Sequence, residues 1–126
     1  MTELLAYVDE SERPGRYLMS CVVIDRADAG RARSAARGLL LPGQRRLHFH
    51  SESDRRQRSL VADLLAIDVG ASVFVCRSAP GRRTAQARAA GLAAIVVDLQ
   101  STGEPVRLTL ESRHNQDADD HPIIWA

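Results

Sequence analysis

Short apolar runs alternate along the chain with segments of helical periodicity. The first two runs, residues 3–9 and 17–24, are apolar on both faces, and a Pro-Gly turn signal separates them. They therefore predict an antiparallel hairpin of buried strands. Three further strands are predicted at residues 47–50, 71–76 and 106–111, where apolar residues alternate with polar ones or form a short continuous run.

Three helices are predicted between these strands. The first covers residues 27–41, which are rich in Ala, Arg and Leu and precede a Pro-Gly stop. The second begins at Ser51, which forms a capping-box-like start with Asp54, and the third follows Pro80. The buried stripe of the second helix is predicted to contain Leu60, Val61, Leu64 and Leu65. That of the third is predicted to contain Ala85, Ala89, Leu92, Val96 and Leu99.

The element order is therefore β-β-α-β-α-β-α-β. Strands that alternate with helices after an opening hairpin indicate an α/β fold with a mixed five-stranded sheet flanked by helices. A length of 126 residues and a hydrophobic share of 44% fit a single domain, residues 1–126.

Positive charge is concentrated in the middle of the chain. All 17 basic residues are Arg, and 13 of them lie between positions 26 and 88 against 5 acidic residues. Arg binds phosphate in a bidentate manner, so one interpretation is contact with a nucleic-acid backbone. The alternative for the Arg-only composition is a GC-rich coding bias. The candidate phosphate-binding residues stand at the starts of two helices: Arg55, Arg56, Arg82 and Arg83. The alternative for these residues is a solvated helix face.

Carboxylates stand at the ends of two predicted strands. Asp9 closes the first apolar run, and Glu111 closes the last, before an acidic segment that contains Asp117 and Asp120. A carboxylate at a strand end is held at the rim of the sheet, where Mg²⁺ or Mn²⁺ can reach it. The alternatives are a solvated strand end for Asp9, an ion pair with Arg113 for Glu111, and a polar loop or helix N-cap for the late Asp residues.

A weaker candidate metal site involves histidine. His48 and His50 fall on the same face of the predicted strand 47–50, next to Glu52, which is a spacing used in zinc sites. A mononuclear zinc hydrolase is one interpretation, and exposed histidines on a strand are the other.

Three short motifs carry a resemblance to a known family: Tyr7-Val8-Asp9-Glu10-Ser11, the stretch from Leu47 to Glu52, and Glu111-Ser112-Arg113 with its acidic tail. With the element order, they make the chain resemble the ribonuclease-H-like superfamily. Within it, the chain is similar to a large group of uncharacterised prokaryotic proteins of the domain-of-unknown-function 3800 type. These proteins open with Tyr-x-Asp-Glu-Ser and end in acidic residues.

The resemblance implies a site of three or four carboxylates that binds two Mg²⁺ or Mn²⁺ ions. Asp9 would bridge the ions, Glu111 would be the second main ligand, and Asp117 or Asp120 would be the late ligand. Glu52 would fill the remaining position. The similar proteins continue into another helix after the acidic segment, so the domain is expected to lack a C-terminal helix.

The predicted function is a divalent-metal-dependent nuclease that hydrolyses phosphodiester bonds of RNA or DNA. The alternative is a catalytically silent module of the same fold that binds nucleic acid, or that binds a partner or second copy through the apolar segment Ile123–Trp125. The sequence contains no Gly-rich phosphate loop and no nucleophile elbow. It also has no signal peptide and no run near the roughly 20 apolar residues of a membrane span. A cytoplasmic protein without membrane contact is therefore expected.

Overall fold

A computed structural model describes residues 3–67, 69–77 and 84–110. Its strands are β1 (Leu4–Arg13), β2 (Arg16–Asp25), β3 (Gly70–Arg77) and β4 (Val106–Leu110). Its α-helices are α1 (Ala29–Arg37), α2 (Asp54–Leu65) and α3 (Thr84–Gln100). Two single 3₁₀ turns, Arg26–Asp28 and Phe49–Ser51, precede α1 and α2.

The four strands form one mixed sheet in the order β3-β2-β1-β4. The pairs β1–β2 and β2–β3 are antiparallel, whereas β1 and β4 are parallel. Pro14 and Gly15 connect β1 to β2 in a two-residue turn, and the φ of 71° at Gly15 is the reason glycine suits this position. The predicted hairpin is therefore confirmed, and the described residues form an α/β fold built on a mixed four-stranded sheet.

The chain divides into two compact units. The sheet unit contains Met1–Arg26 and Gly70–Ala126, and the helical unit contains Ala27–Val69. The helical unit is thus inserted in the sequence between β2 and β3. No helix within the described ranges is both long enough and apolar enough to cross a bilayer.

The core of the sheet unit lies between α3 and one face of the hairpin. Strand periodicity places alternate residues of β1 and β2 on this face, and the buried helix residues recur every three or four positions. The core residues are Ala6, Val8, Tyr17, Met19, Cys21, Ala87, Leu92, Ile95 and Leu99. The buried stripe of α3 therefore contains Leu92 and Leu99 as predicted, but it includes Ala87 and Ile95 in place of the exposed Ala85.

A glycine sets how closely α3 approaches the sheet. A Cβ atom added at Gly91 would lie 2.7 Å from the Sδ atom of Met19. Met19 is 1% exposed, so its side chain has little room to move away. The missing side chain at Gly91 is what lets the helix backbone pass directly over β2.

The predicted strand at residues 47–50 is wrong. This segment contains the 3₁₀ turn Phe49–Ser51, in which the Ser51 N–H donates to the His48 carbonyl (2.9 Å). The backbone groups are satisfied locally, and no described strand pairs with the segment. Four alternating residues are too few to form a strand without such a partner. The five-stranded count is corrected to four strands within the described residues.

Two further predictions concerning α2 are wrong. The N-cap is Ser53, whose Oγ accepts from the Arg56 N–H (3.2 Å), and not Ser51. Of the predicted buried stripe only Leu60 is buried, while Val61, Leu64 and Leu65 are exposed, the last by 82%. The predicted stripe spans about 140° of the helix. The other described helix of this unit, α1, is nine residues long and has no large apolar side chain that could cover this stripe.

We predict that Gly91→Ala destabilises the protein. Overpacking against Met19 costs about 1–3 kcal/mol, whereas the better helix propensity of Ala returns about 1 kcal/mol. The free energy of unfolding, measured in urea, should therefore fall. The matched control is Gly30→Ala in α1, where an added Cβ has nothing within 4 Å; it should raise stability by up to about 1 kcal/mol. Equal gains in both variants would contradict the close packing of α3 on β2.

Candidate functional site

The predicted strand end at Asp9 is wrong, because β1 continues to Arg13 and Asp9 pairs with Ser20 within the hairpin. Asp9 and Glu10 are neighbours within β1 but lie in opposite environments. Successive strand residues point to opposite faces of a sheet. Asp9 is exposed, whereas the Glu10 side chain faces α3 and is 6% exposed. The two residues are also linked directly, because the Glu10 N–H donates to the Asp9 Oδ1 atom at 2.8 Å.

The Glu10 carboxylate is the centre of a buried polar cluster. Its Oε2 atom accepts hydrogen bonds from Nη1 of Arg88 on α3 and from the Tyr17 hydroxyl on β2. The Arg88 side chain is 4% exposed, and Tyr17 is buried as well. A buried charge is tolerated only when it is paired and hydrogen-bonded. The Glu10–Arg88–Tyr17 cluster meets this requirement by joining β1, β2 and α3.

Burial also governs the acidity of two side chains in this unit. Burial raises the pKa of Tyr17, and its hydrogen bond to Glu10 raises that pKa further. Burial likewise raises the pKa of the Cys21 thiol, with a smaller contribution from the negative charge of Asp98. Cys21 is therefore protonated near neutral pH and is not an activated nucleophile.

A small cleft brings Asp9 and the buried cluster together. Its lining residues are Val8, Asp9, Glu10, Arg88 and Leu110. The cleft has a volume of about 10 Å³, which is room for roughly one water molecule or ion. Its charged lining groups include the Glu10–Arg88 ion pair.

The described parallel ladder between β1 and β4 ends one residue before Asp9. Its described pairs run from Leu4 opposite Val106 to Val8 opposite Leu110. Asp9 is the next residue on β1. Glu111, the second predicted ligand, lies outside the described residues, as do Asp117, Asp120, Arg82, Arg83 and the segment Ile123–Trp125.

The other predicted site residues belong to the helical unit. The Glu52 carboxylate accepts a hydrogen bond from Nε2 of Gln44 at 2.8 Å. Arg55 is exposed in the first turn of α2, whereas Arg56 is half-buried and donates to the Leu39 carbonyl. Arg55 is therefore exposed to solvent, whereas Arg56 makes a hydrogen bond within the helical unit.

Histidine does not form the predicted zinc constellation. His48 is extended and His50 lies in the 3₁₀ turn, so the two side chains do not share the face of a strand. Both are exposed. In the part of the chain that the structure describes, no group of three or more His, Cys, Asp or Glu residues could hold a metal ion.

The Glu10–Arg88–Tyr17 cluster was not predicted from the sequence, although the positions of Glu10 and Arg88 in the strand and helix patterns indicate burial. Glu10 is two residues from Val8 on a strand, so period-two alternation places it on the core face. Arg88 stands one turn before Leu92, within an apolar stripe. A charged residue at a core position of each element is the pattern that predicts a buried pair.

Comparison of the chain with protein-family models, with curated proteins and with solved structures finds no match.

We predict that Arg88→Met lowers the free energy of unfolding by about 3–5 kcal/mol, because it leaves the buried Glu10 carboxylate without its ion-pair partner. The control is Arg107→Met, which removes an Arg whose side chain is 70% exposed and lies 3.5 Å from Glu3. Such an exposed pair contributes below about 1 kcal/mol. Urea unfolding of both variants measures the difference, and similar losses would show that the Arg88 pair is not buried in solution.

We predict that the stabilising effect of Tyr17 is lost at alkaline pH. Tyr17→Phe should cost about 1.5–3 kcal/mol at neutral pH, since it removes a donor to a charged acceptor. The folded-state pKa is raised above the usual value of about 10. Above that value the unfolded chain releases the Tyr17 proton before the folded chain does. Stability is therefore fully present below about pH 10 and falls as the pH rises through the folded-state pKa.

The measurement is the difference in unfolding free energy between the wild type and Tyr17→Phe across pH 7–11.5. Groups common to both proteins cancel in this difference. It should stay constant below about pH 10 and shrink above it. A constant difference over the whole range would contradict a buried, protonated Tyr17 hydroxyl.

Proposed function

We propose that the chain is a divalent-metal-dependent nuclease that hydrolyses phosphodiester bonds of RNA or DNA at a two-metal carboxylate site. The observation that carries the proposal is the placement of Asp9. Asp9 is an exposed residue of β1, a strand in the interior of the sheet, and it directly follows Val8, the last residue of β1 in the described pairing with β4. Oxygen donors on a rigid element are what Mg²⁺ and Mn²⁺ require.

The register of the parallel ladder supports a second ligand. Asp9 and Glu111 are the residues that follow Val8 and Leu110, the last described pair of the ladder, in the sequence. Neighbouring strands lie about 4.8 Å apart, a separation that carboxylates bridging one ion can span. Asp117 or Asp120 would be the late ligand.

The fold is compatible with this function. The ribonuclease-H-like fold proposed for the chain has a mixed five-stranded sheet flanked by helices, and four mixed strands with a packed helix are described here. In the proposed reaction one ion activates a water and the other stabilises the leaving oxygen. The exposed Arg55, with Arg82 and Arg83, would contact the phosphate backbone.

A second candidate function is a silent module that binds nucleic acid or a protein partner. It is favoured by the position of Glu10, because the Glu10 carboxylate is hydrogen-bonded to Arg88 and Tyr17. The Asp-Glu pair of β1 therefore supplies one exposed ligand rather than two. Such a module would use its Arg residues for nucleic acid, or the apolar segment Ile123–Trp125 for a partner or a second copy.

We predict that the protein cleaves labelled RNA, single-stranded DNA or an RNA–DNA hybrid in the presence of Mg²⁺ or Mn²⁺. Asp9→Asn and Glu111→Gln should each reduce the rate by at least about 100-fold. Loss of a residue that only supports a ligand already costs about 10–100-fold, and loss of a ligand should cost at least as much. The control is Glu12→Gln, which neutralises an exposed carboxylate on the same strand and should leave the rate unchanged.

The same experiment separates the two candidate functions. Nucleic-acid binding that persists in a chelator and in Asp9→Asn, without cleavage under any metal condition, identifies the silent module. Cleavage that is equal in the wild type, Asp9→Asn and Glu111→Gln would reject this site assignment.

A further inference from the structure

We propose that three arginines of the sheet unit, Arg13, Arg16 and Arg77, form a binding site for the phosphate backbone of a nucleic acid. We call these three residues the arginine row. The inference goes beyond the proposed function, which assigns phosphate contact to other arginines. It requires neither the carboxylate site nor cleavage.

The register of the sheet brings the three arginines side by side on three neighbouring strands. Arg13 of β1 is the partner of Arg16 of β2, and Arg16 is also the partner of Arg77 of β3. Directly opposed residues of antiparallel strands share a face and have Cα atoms about 4.5–5.5 Å apart. The arginine row is therefore about 10 Å long and crosses the sheet at the end that contains the Pro14-Gly15 turn.

The arginine row lies on the face of the sheet opposite α3. Arg16 directly precedes Tyr17, which is buried in the core on the α3 side, and successive strand residues point to opposite faces. All three arginines are exposed. The row is thus accessible to a large ligand and is held on strands rather than on a loop.

The residues next to the arginine row do not neutralise it. The adjacent positions on the same face are Ser11, Leu18 and Val75, which carry no charge. Nη1 of Arg13 donates to the main-chain carbonyl of Glu12 at 2.9 Å, and this neutral acceptor leaves the positive charge in place. Like charges directly opposite each other destabilise a sheet. An anionic ligand would relieve that repulsion.

The spacing of the charges fits a phosphodiester chain better than an acidic peptide. One strand of nucleic acid presents a phosphate about every 3.4 Å along the helix axis, so a row of about 10 Å faces about three phosphates. An extended peptide presents side chains on one face only about every 6.6 Å. The planar guanidinium also matches phosphate in a bidentate manner.

The only nearby carboxylate on this face of β1 is too far away to compete. Asp9 precedes Arg13 by four residues, which is about 13 Å along a strand. That separation exceeds the screening length of about 8 Å at physiological ionic strength. A polyanion can therefore bind the arginine row without strong repulsion from Asp9.

The test compares two charge-matched variants of the full chain. The row variant is Arg13→Gln/Arg16→Gln. The control is Arg26→Gln/Arg107→Gln, which removes two arginines at the opposite end of the sheet, with side chains 67% and 70% exposed. Binding of labelled single-stranded RNA and DNA is measured by fluorescence anisotropy at several salt concentrations, in a chelator so that metal-dependent cleavage is prevented. Polyglutamate is the second probe, and urea unfolding shows whether each variant is folded.

The row variant should bind RNA more weakly and with a smaller salt dependence. Each phosphate contact on a single strand contributes about 0.7 to the slope of log affinity against log salt. Loss of two contacts should therefore reduce that slope by about 1.4 and the affinity at about 0.1 M salt by about 25-fold. Adding Arg77→Gln should reduce the slope by about 0.7 more. The control should keep the wild-type slope, and the row variant should be at least as stable as the wild type because opposed like charges are removed.

Three outcomes would overturn the inference. Equal losses in the row variant and the control would show an effect of net charge alone. Polyglutamate binding as tight as RNA binding would assign the row to an acidic polypeptide. The third is a wild type that binds neither RNA nor DNA. If the row variant does not fold, Arg16→Gln decides, and an unchanged slope there is equally contradictory. The cleavage rates of Asp9→Asn and Glu111→Gln test the proposed function separately, since this binding assay contains no free metal.

Discussion

The buried ion pair between Glu10 and Arg88 determines where α3 sits on the sheet. Neither charge is tolerated away from water without the other, so α3 must pack where the guanidinium reaches β1. Gly91, one turn further along the helix, makes that position sterically accessible because it lets the backbone pass over Met19. A polar constraint and a steric one therefore select the same arrangement of α3 against the hairpin.

This arrangement separates structural and chemical roles on two adjacent residues. Strand geometry directs Glu10 into the core and Asp9 to the surface. Glu10 is hydrogen-bonded to Arg88 and Tyr17, while Asp9 is exposed. A single Asp-Glu dipeptide thus supplies both a buried anchor of the sheet unit and an exposed candidate ligand.

Local patterns predicted the sheet unit better than the helical unit. The hairpin, β4 and α3 follow from apolar runs, helical periodicity and the Pro-Gly turn. The apolar run of β3 correctly predicts a strand but not its burial, because Val73 and Val75 are 64% and 57% exposed. The segment 47–50 has the alternation of a strand but no described partner for its backbone. The stripe of α2 has the periodicity of a core helix, but Val61, Leu64 and Leu65 on it are exposed. Periodicity shows which face of an element is apolar. It does not show whether another element packs against that face.

The sequence by itself determined that Asp9 and Glu10 follow a buried apolar run, and a strand period of two places Glu10 on the same face as Val8. It did not show that β1 continues to Arg13. Only the tertiary structure decided which of the 17 Arg residues meets Glu10. Arg88 is 78 positions away in the chain, and nothing local distinguishes it by charge from its exposed counterparts. The physical reason is that desolvation and ion pairing depend on neighbours brought together by packing, whereas the sequence records only the identity of each residue.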